Sequence, residues 1–160
     1  MTSFQELRPE IYPAGAVKNE ELRELLSAWH KVKENRQYPM DPTPILRNAG
    51  SLLSMIHVSD VQEDGSDFRF RLVGECVFPS TPWFQVGRTI SEHPDPIVRF
   101  QFMTLMRATY IAGWGVRGVY LQLCADNGGG HRVESLWLPF GRSSIVEQVL
   151  GIAAAEPLTG

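Results

Sequence analysis

The histidines and cysteines have the widest chemical range in this chain, but their spacing limits what they could do together. No pair has the Cys-x-x-Cys or His-x-x-x-His spacing of metal ligands, so the sequence predicts no structural metal site. No Gly-x-Ser-x-Gly motif is present to indicate nucleophilic catalysis. We expect the two cysteines to be buried and to act as small apolar residues. The residues are His30, His57, His93, His131, Cys76 and Cys124.

Three other groups of polar residues could take part in binding or acid–base chemistry. Arg69 and Arg71 would share one face of a strand, where they could hold an anion if that face were enclosed, although the solvated face of a sheet is the commoner place for such a pair. His57 and Asp60 fall in another predicted strand, and an acid or base in an apolar pocket is what an isomerase-like enzyme needs. The glycine-rich run 126–130 lacks the lysine and helix of a phosphate loop and predicts a hairpin turn.

Aromatic side chains form the largest set that could line a small-molecule pocket. Such a pocket is mostly apolar with a few polar groups. A filled core uses the same residue types, so both interpretations stay open at this point. The candidate pocket residues are His57, Phe70, Trp83, Phe84, Phe102, Tyr120 and Trp137.

The clearest structural pattern lies at residues 68–74, where three apolar residues alternate with two arginines. This period of two predicts a strand with one buried and one exposed face. A turn at 64–67 and an apolar run at 52–61 precede it, which predicts an antiparallel hairpin. The residues expected to face inward are Phe68, Phe70 and Leu72, and those expected to face outward are Arg69 and Arg71.

An amphipathic helix is predicted at residues 19–36, ahead of this hairpin. Asn19 is a suitable N-cap, and Pro39 follows the end of the pattern. The apolar stripe could pack on the chain's own domain or meet a second copy of the chain, and the two are compatible. The stripe consists of Leu22, Leu25, Leu26, Trp29 and Val32.

The second half of the chain predicts one longer helix and three strands. The helix covers residues 97–112 and is apolar nearly all round, and the strands cover 116–123, 132–140 and 145–154. The whole order predicts an α+β fold with a five-stranded antiparallel sheet and helices on one face. We expect a single domain at 19–155, after an extended or mobile lead-in at 1–18 and before a tail at 156–160.

The composition excludes several classes of protein. The chain has 160 residues, 43% of them hydrophobic and 21% charged, with a net charge of −3, which suits one globular domain. It has no long basic run for nucleic acid and no apolar run long enough to span a membrane. The N-terminus lacks the order of a signal peptide, and the two cysteines stand singly and far apart. We therefore expect a cytoplasmic protein.

The order of elements, together with four stretches of sequence, resembles a PAS domain. The stretches lie at 25–29, 68–74, 86–90 and 134–140. The chain is most similar to the short single-domain PAS-like family that is common in alphaproteobacteria. It departs from that family between residues 75 and 84, where a proline-containing run replaces a helix leading to an acidic residue. A pocket wall made by this run would differ from the family's.

The resemblance implies a non-enzymatic sensor or interaction module whose sheet and helices enclose a small molecule. Because no effector segment is recognised in the chain, its output would pass through a separate effector protein or through a homodimer. PAS domains are similar to one another in dimerising through a flanking helix, so we expect Trp29 to be at least partly buried between subunits. Neither cysteine lies in the Asn-Cys-Arg motif of a flavin-adduct PAS domain. A haem held by one histidine, His57 or His93, stays open, and the sequence identifies no cofactor. The alternative class is an enzyme or carrier of the ketosteroid-isomerase kind.

Overall fold

The computed structural model describes residues 4–77, 85–123 and 130–156, and its central feature is one antiparallel sheet. The helices are α1 (Glu20–Lys33), α2 (Thr43–Arg47) and α3 (Pro96–Ala112). The strands are β1 (Glu10–Pro13), β2 (Ile56–Gln62), β3 (Asp67–Val73), β4 (Val116–Leu123), β5 (Gly130–Phe140) and β6 (Gln148–Ala155). Short 3-10 turns lie at Phe4–Leu7, Ala14–Ala16, Gly50–Met55, Glu63–Gly65 and Ile90–Glu92.

The strand order is β1-β4-β5-β6-β2-β3, and every neighbouring pair is antiparallel. Among the described residues the sheet therefore has six strands rather than the expected five. The additional strand is β1, which lies within the predicted lead-in and pairs with β4 from Glu10 opposite Val119 to Pro13 opposite Val116. Four residues that end in proline have no apolar alternation. For that reason the sequence gives no local signal for this edge strand.

Helices cover both faces of the sheet. Trp137 of β5 contacts Phe102 of α3 with 5.4 Å between ring centroids. Glu134 of β5 accepts hydrogen bonds from the backbone N–H groups of Lys18 and Asn19, directly before α1. Since alternate residues of a strand point to opposite faces, α3 and α1 lie on opposite faces. We call the α3 side the inner face and the α1 side the outer face.

The two long helices begin and end close to the predicted positions. The Asn19 side chain accepts a hydrogen bond from the N–H of Leu22 at 3.1 Å, so Asn19 caps α1 as expected. α1 ends at Lys33, three residues before the predicted end at residue 36. α3 ends at Ala112 and is capped by Gly113, whose φ of 70° is the left-handed conformation that favours glycine at this position.

The predicted orientation of β3 is confirmed for its two phenylalanines and two arginines. Phe68 and Phe70 are 0% and 1% exposed, whereas Arg69 and Arg71 are exposed. The prediction for Leu72 is wrong, because this half-buried residue does not share the face of Phe68 and Phe70.

A β-bulge explains the position of Leu72. Ser59 of β2 pairs with Phe70, and its neighbour Val58 pairs with Leu72, so Arg71 is an extra residue in β3. A bulge re-aims the side chains that follow it. Leu72 consequently shares a face with Val58, the residue opposite, instead of with Phe70.

Other strand boundaries also differ from the expectations, and β6 begins at Gln148 rather than at residue 145. β2 begins at Ile56 rather than at residue 52, because the chain from Gly50 to Met55 forms a 3-10 turn. Most of the predicted hairpin turn at 126–130 lies outside the described residues. Within the described part of the chain, no helix is long and apolar enough to cross a membrane.

Candidate functional site

A small cavity lies on the inner face, between the sheet and α3. Its volume is about 50 Å³, and the share of one water in the liquid is about 30 Å³. Four of the predicted pocket residues line it, and a fifth, Phe70, contacts the ring of His57. The other two, Trp83 and Phe84, lie outside the described residues. The described lining residues are Met55, His57, Cys76, Val77, Phe102, Tyr120, Gln122, Trp137, Ile152 and Ala153.

His57 is the polar centre of this cavity. Its ring stacks on Phe102 with centroids 5.5 Å apart and an interplanar angle of 27°. It meets the rings of Phe70 and Trp137 edge-on, at 5.8 and 5.2 Å. Three aromatic rings thus fix the orientation of one imidazole.

Gly151 makes room for this arrangement. It stands opposite both His57 of β2 and Trp137 of β5 in the sheet. A Cβ at this position would collide with the imidazole of His57 and would lie 2.8 Å from Cζ3 of Trp137. A residue without a side chain is therefore required where these two rings cross the strand.

The imidazole of His57 is neutral and incompletely hydrogen-bonded. Burial lowers its pKa to about 3, because the charged form cannot be solvated there. Its Nδ1 has no hydrogen-bond partner among the described residues, and neither has the buried Oγ of Ser59. Ser59 lies two residues along β2, so both side chains point to the inner face. Burial also raises the pKa of Tyr120.

The described wall of the cavity contains no carboxylate and no cationic side chain. Asp60, the predicted alternative acid, does not belong to this site. Its carboxylate pairs with Arg71 at 2.9 Å and accepts a hydrogen bond from the amide of Gln148 at 2.9 Å. Asp60 also follows Ser59 in β2 and so points to the opposite face. The cavity can therefore stack and hydrogen-bond a neutral molecule, and burial makes His57 a weak base there.

Two further sequence predictions can be compared with the structure here. Arg69 and Arg71 lie on an exposed face, where Arg69 donates to the carbonyl oxygen of Gly87 and Arg71 pairs with Asp60. Cys76 is exposed, so the prediction that it is buried is wrong. It lies in the turn after β3, held by its backbone N–H to the carbonyl oxygen of Ser54. Cys124 lies outside the described residues, and the described ones include no group of three or more potential metal ligands.

The apolar stripe of α1 packs on the chain's own sheet. Trp29 is 2% exposed, and its indole N–H donates to the carbonyl oxygen of Pro139 at 3.1 Å. No second subunit is needed to bury this stripe. The homodimer stays a prediction. The other predicted contact residues are buried Leu22, Leu25 and Leu26 and half-buried Val32.

A buried ion pair on the outer face is absent from the sequence predictions. Arg117 Nε lies 2.5 Å from Glu134 Oε2, and both side chains are at most 5% exposed. Burial alone would raise the pKa of Glu134. Hydrogen bonds from Arg117 and from the N–H groups of Lys18 and Asn19 more than offset this effect and leave the pKa lowered. The ring of Tyr12 in β1 lies 4.8 Å from the guanidinium carbon of Arg117. The pair thus attaches the N-terminal segment to β4 and β5.

Known proteins give no further guide to this arrangement. The chain matches no protein-family model, no curated protein and no solved structure.

Proposed function

We propose that this chain is a non-enzymatic sensor or adaptor module of the PAS-like kind, whose inner cavity binds a small neutral molecule. The observation that carries the proposal is the fully buried, neutral imidazole of His57, whose Nδ1 lacks a partner among the described residues. An unsatisfied buried polar atom costs about 1–3 kcal/mol, so its presence in an aromatic cavity favours a bound partner molecule. Apart from β1 and the short α2, the order of helix, two strands, long helix and three strands supports the PAS-like interpretation.

The walls define the chemistry of the proposed ligand. Phe102, Trp137 and Tyr120 offer ring faces and edges, which favour a flat apolar molecule. His57 offers one uncharged hydrogen-bonding group, which favours a ligand with a matching donor or acceptor. A charged ligand would be desolvated without a compensating ion pair from the described residues.

Binding of an organic molecule requires side chains to move, because the present volume holds only about one or two waters. Met55 is the most adaptable side chain in the wall, since methionine is unbranched and has several rotatable bonds. In this proposal the ligand shifts the packing of the inner face, and a separate effector protein or a second subunit detects the change.

Filling the cavity tests the proposal. Ala153 lines it and is half-buried, so Ala153→Val adds two methyl groups there and should reduce ligand binding. Unfolded, dialysed and refolded protein is mixed with a small-molecule extract of the host cells, and its thermal unfolding is followed. We expect the extract to raise Tm of the wild type and of the exposed control Ala155→Val, but to raise that of Ala153→Val much less. The absence of any shift, or equal shifts in all three proteins, would sink the proposal.

A further inference from the structure

We propose that a groove on the outer side of the β2–β3 hairpin docks a basic, amphipathic segment of a partner protein. This acidic groove has a volume of about 1030 Å³ and lies where α2, the end of the hairpin and the start of β6 meet. It shares no described lining residue with the inner cavity. The inference therefore goes beyond the proposed ligand site and does not depend on it.

The floor of the acidic groove is apolar. Val58 is buried there, and Leu46 and Leu72 are half-buried. At its margin, Ile145 and Met40 are 61% and 51% exposed. Aliphatic and methionine side chains exposed around a concave surface are typical of protein-binding sites. The occupant should therefore present apolar side chains along one face.

The rim of the acidic groove carries an excess of negative charge. Among its described residues only Asp60 forms an ion pair, with Arg71. The other four carboxylates face a single remaining guanidinium group. Such a rim attracts a segment with Lys or Arg and repels an acidic one. The net charge of −3 of the chain itself disfavours a second copy as the occupant. The charged lining residues are Asp41, Asp60, Glu63, Asp64, Glu147, Arg71 and Arg142.

The end of the hairpin offers a way to separate binding from folding. Glu63 and Asp64 have φ angles of 46° and 56°, and Gly65 follows with 88°. Glutamate is rarely found in this left-handed conformation, which glycine adopts without strain. Replacing both acidic residues by glycine removes two rim charges and relieves backbone strain at the same time. The left-handed backbone conformation is thus compatible with the new residues, so a loss of binding is not caused by a forced change of that conformation.

The experiment measures binding of a labelled peptide by fluorescence anisotropy. The probe is an amphipathic peptide of about 14 residues, roughly four helical turns, made of Leu and Lys, and its counterpart carries Glu in place of Lys. We expect the Lys peptide to bind, to bind less well as salt rises, and to bind more tightly than the Glu peptide. Because a rim charge contributes modestly, the Glu63→Gly, Asp64→Gly variant should raise Kd about fivefold. Ile145→Ser should also weaken binding.

Matched controls distinguish binding in the acidic groove from nonspecific attraction between the Lys peptide and the negatively charged chain. Glu21→Gln, Glu24→Gln makes the same change of net charge on the exposed side of α1, and Ile11→Ser removes an exposed isoleucine from β1 at the other edge of the sheet. Both controls should leave Kd unchanged. Equal weakening by the controls, equal binding of the Glu peptide, or no binding of the Lys peptide would overturn the proposal. So would sedimentation showing that the chain self-associates through this groove.

Discussion

His57 is neutral in the folded chain, and this predicts how stability depends on pH. Its pKa is about 3 when folded and near 6.5 when unfolded, so between these values the unfolded chain binds a proton that the folded chain does not. The contribution of neutral His57 to the free energy of unfolding is therefore fully present above about pH 6.5. Below that pH the free energy of unfolding falls on acidification, by about 1.4 kcal/mol per pH unit. Urea unfolding between about pH 7 and pH 5, above the titration of ordinary carboxylates, measures this slope.

Two variants identify the source of the slope. His57→Phe removes this group and should reduce the slope, leaving the part that comes from buried His93, whose pKa burial also lowers. His131→Gln changes an exposed histidine and should leave the wild-type slope. A slope in His57→Phe equal to that of the wild type would show that His57 is not responsible.

Gly151 is predicted to tolerate no side chain. Because a Cβ there would collide with His57 and lie 2.8 Å from Cζ3 of Trp137, Gly151→Ala should destabilise the fold by about 1–3 kcal/mol. Gly15→Ala is the matched control, since a Cβ at residue 15 meets nothing within 4 Å. Its stability should be unchanged or slightly raised. Chemical denaturation of both variants makes the comparison. Equal stabilities would show that the rings of His57 and Trp137 can move aside without cost.

At the scale of elements, the Glu134–Arg117 pair is predicted to hold the N-terminal segment on the outer face. Glu134→Gln would leave the charge of Arg117 buried and unpaired, at a cost of about 3–5 kcal/mol. Glu10→Gln, which breaks the exposed pair with Arg132, should change stability little. Hydrogen exchange should also show earlier opening of β1 and of the first turn of α1 in Glu134→Gln. Unchanged protection of these amides would contradict the assignment.

Local patterns predicted the elements that depend on local chemistry. Asn19 and Gly113 mark real helix ends, and the alternation at Phe68 and Phe70 gives the correct face. Features that depend on the register in which one strand pairs with another were not predictable in the same way. β1 has no pattern of its own, and the direction of Leu72 is set by a bulge against β2.

The residues of the candidate site also fall into those that local sequence indicates and those that depend on strand pairing. The sequence indicated His57 and its aromatic neighbours because their residue types suit a pocket, and the structure brings the described ones together. Gly151 was missed because its importance depends on two strands that are not adjacent in sequence. Ser59 could have been found from its position two residues after His57, which predicts a shared face in a strand. Glu134 and Arg117 were missed because their burial depends on the N-terminal segment packing on β4 and β5.

At the scale of the whole molecule, the two proposed binding sites lie on opposite faces of the sheet. The inner face holds the proposed ligand site, and the outer face holds α1 and the acidic groove. β2 contributes to both, with His57 in one and Val58 in the other. A ligand that repacks His57 would therefore act on a strand that also forms the floor of the groove, which gives a direct physical route between the two proposed sites.

Native mass spectrometry of the protein purified from its own host tests the central claim most directly. It weighs the intact chain with whatever it holds and reports the oligomeric state in the same spectrum. We predict an additional mass of a small organic molecule on the wild type, lost under denaturing conditions and reduced in Ala153→Val. Wild-type protein that carries only the mass of its chain, or a bound mass that persists unchanged in Ala153→Val, would contradict a ligand site at His57.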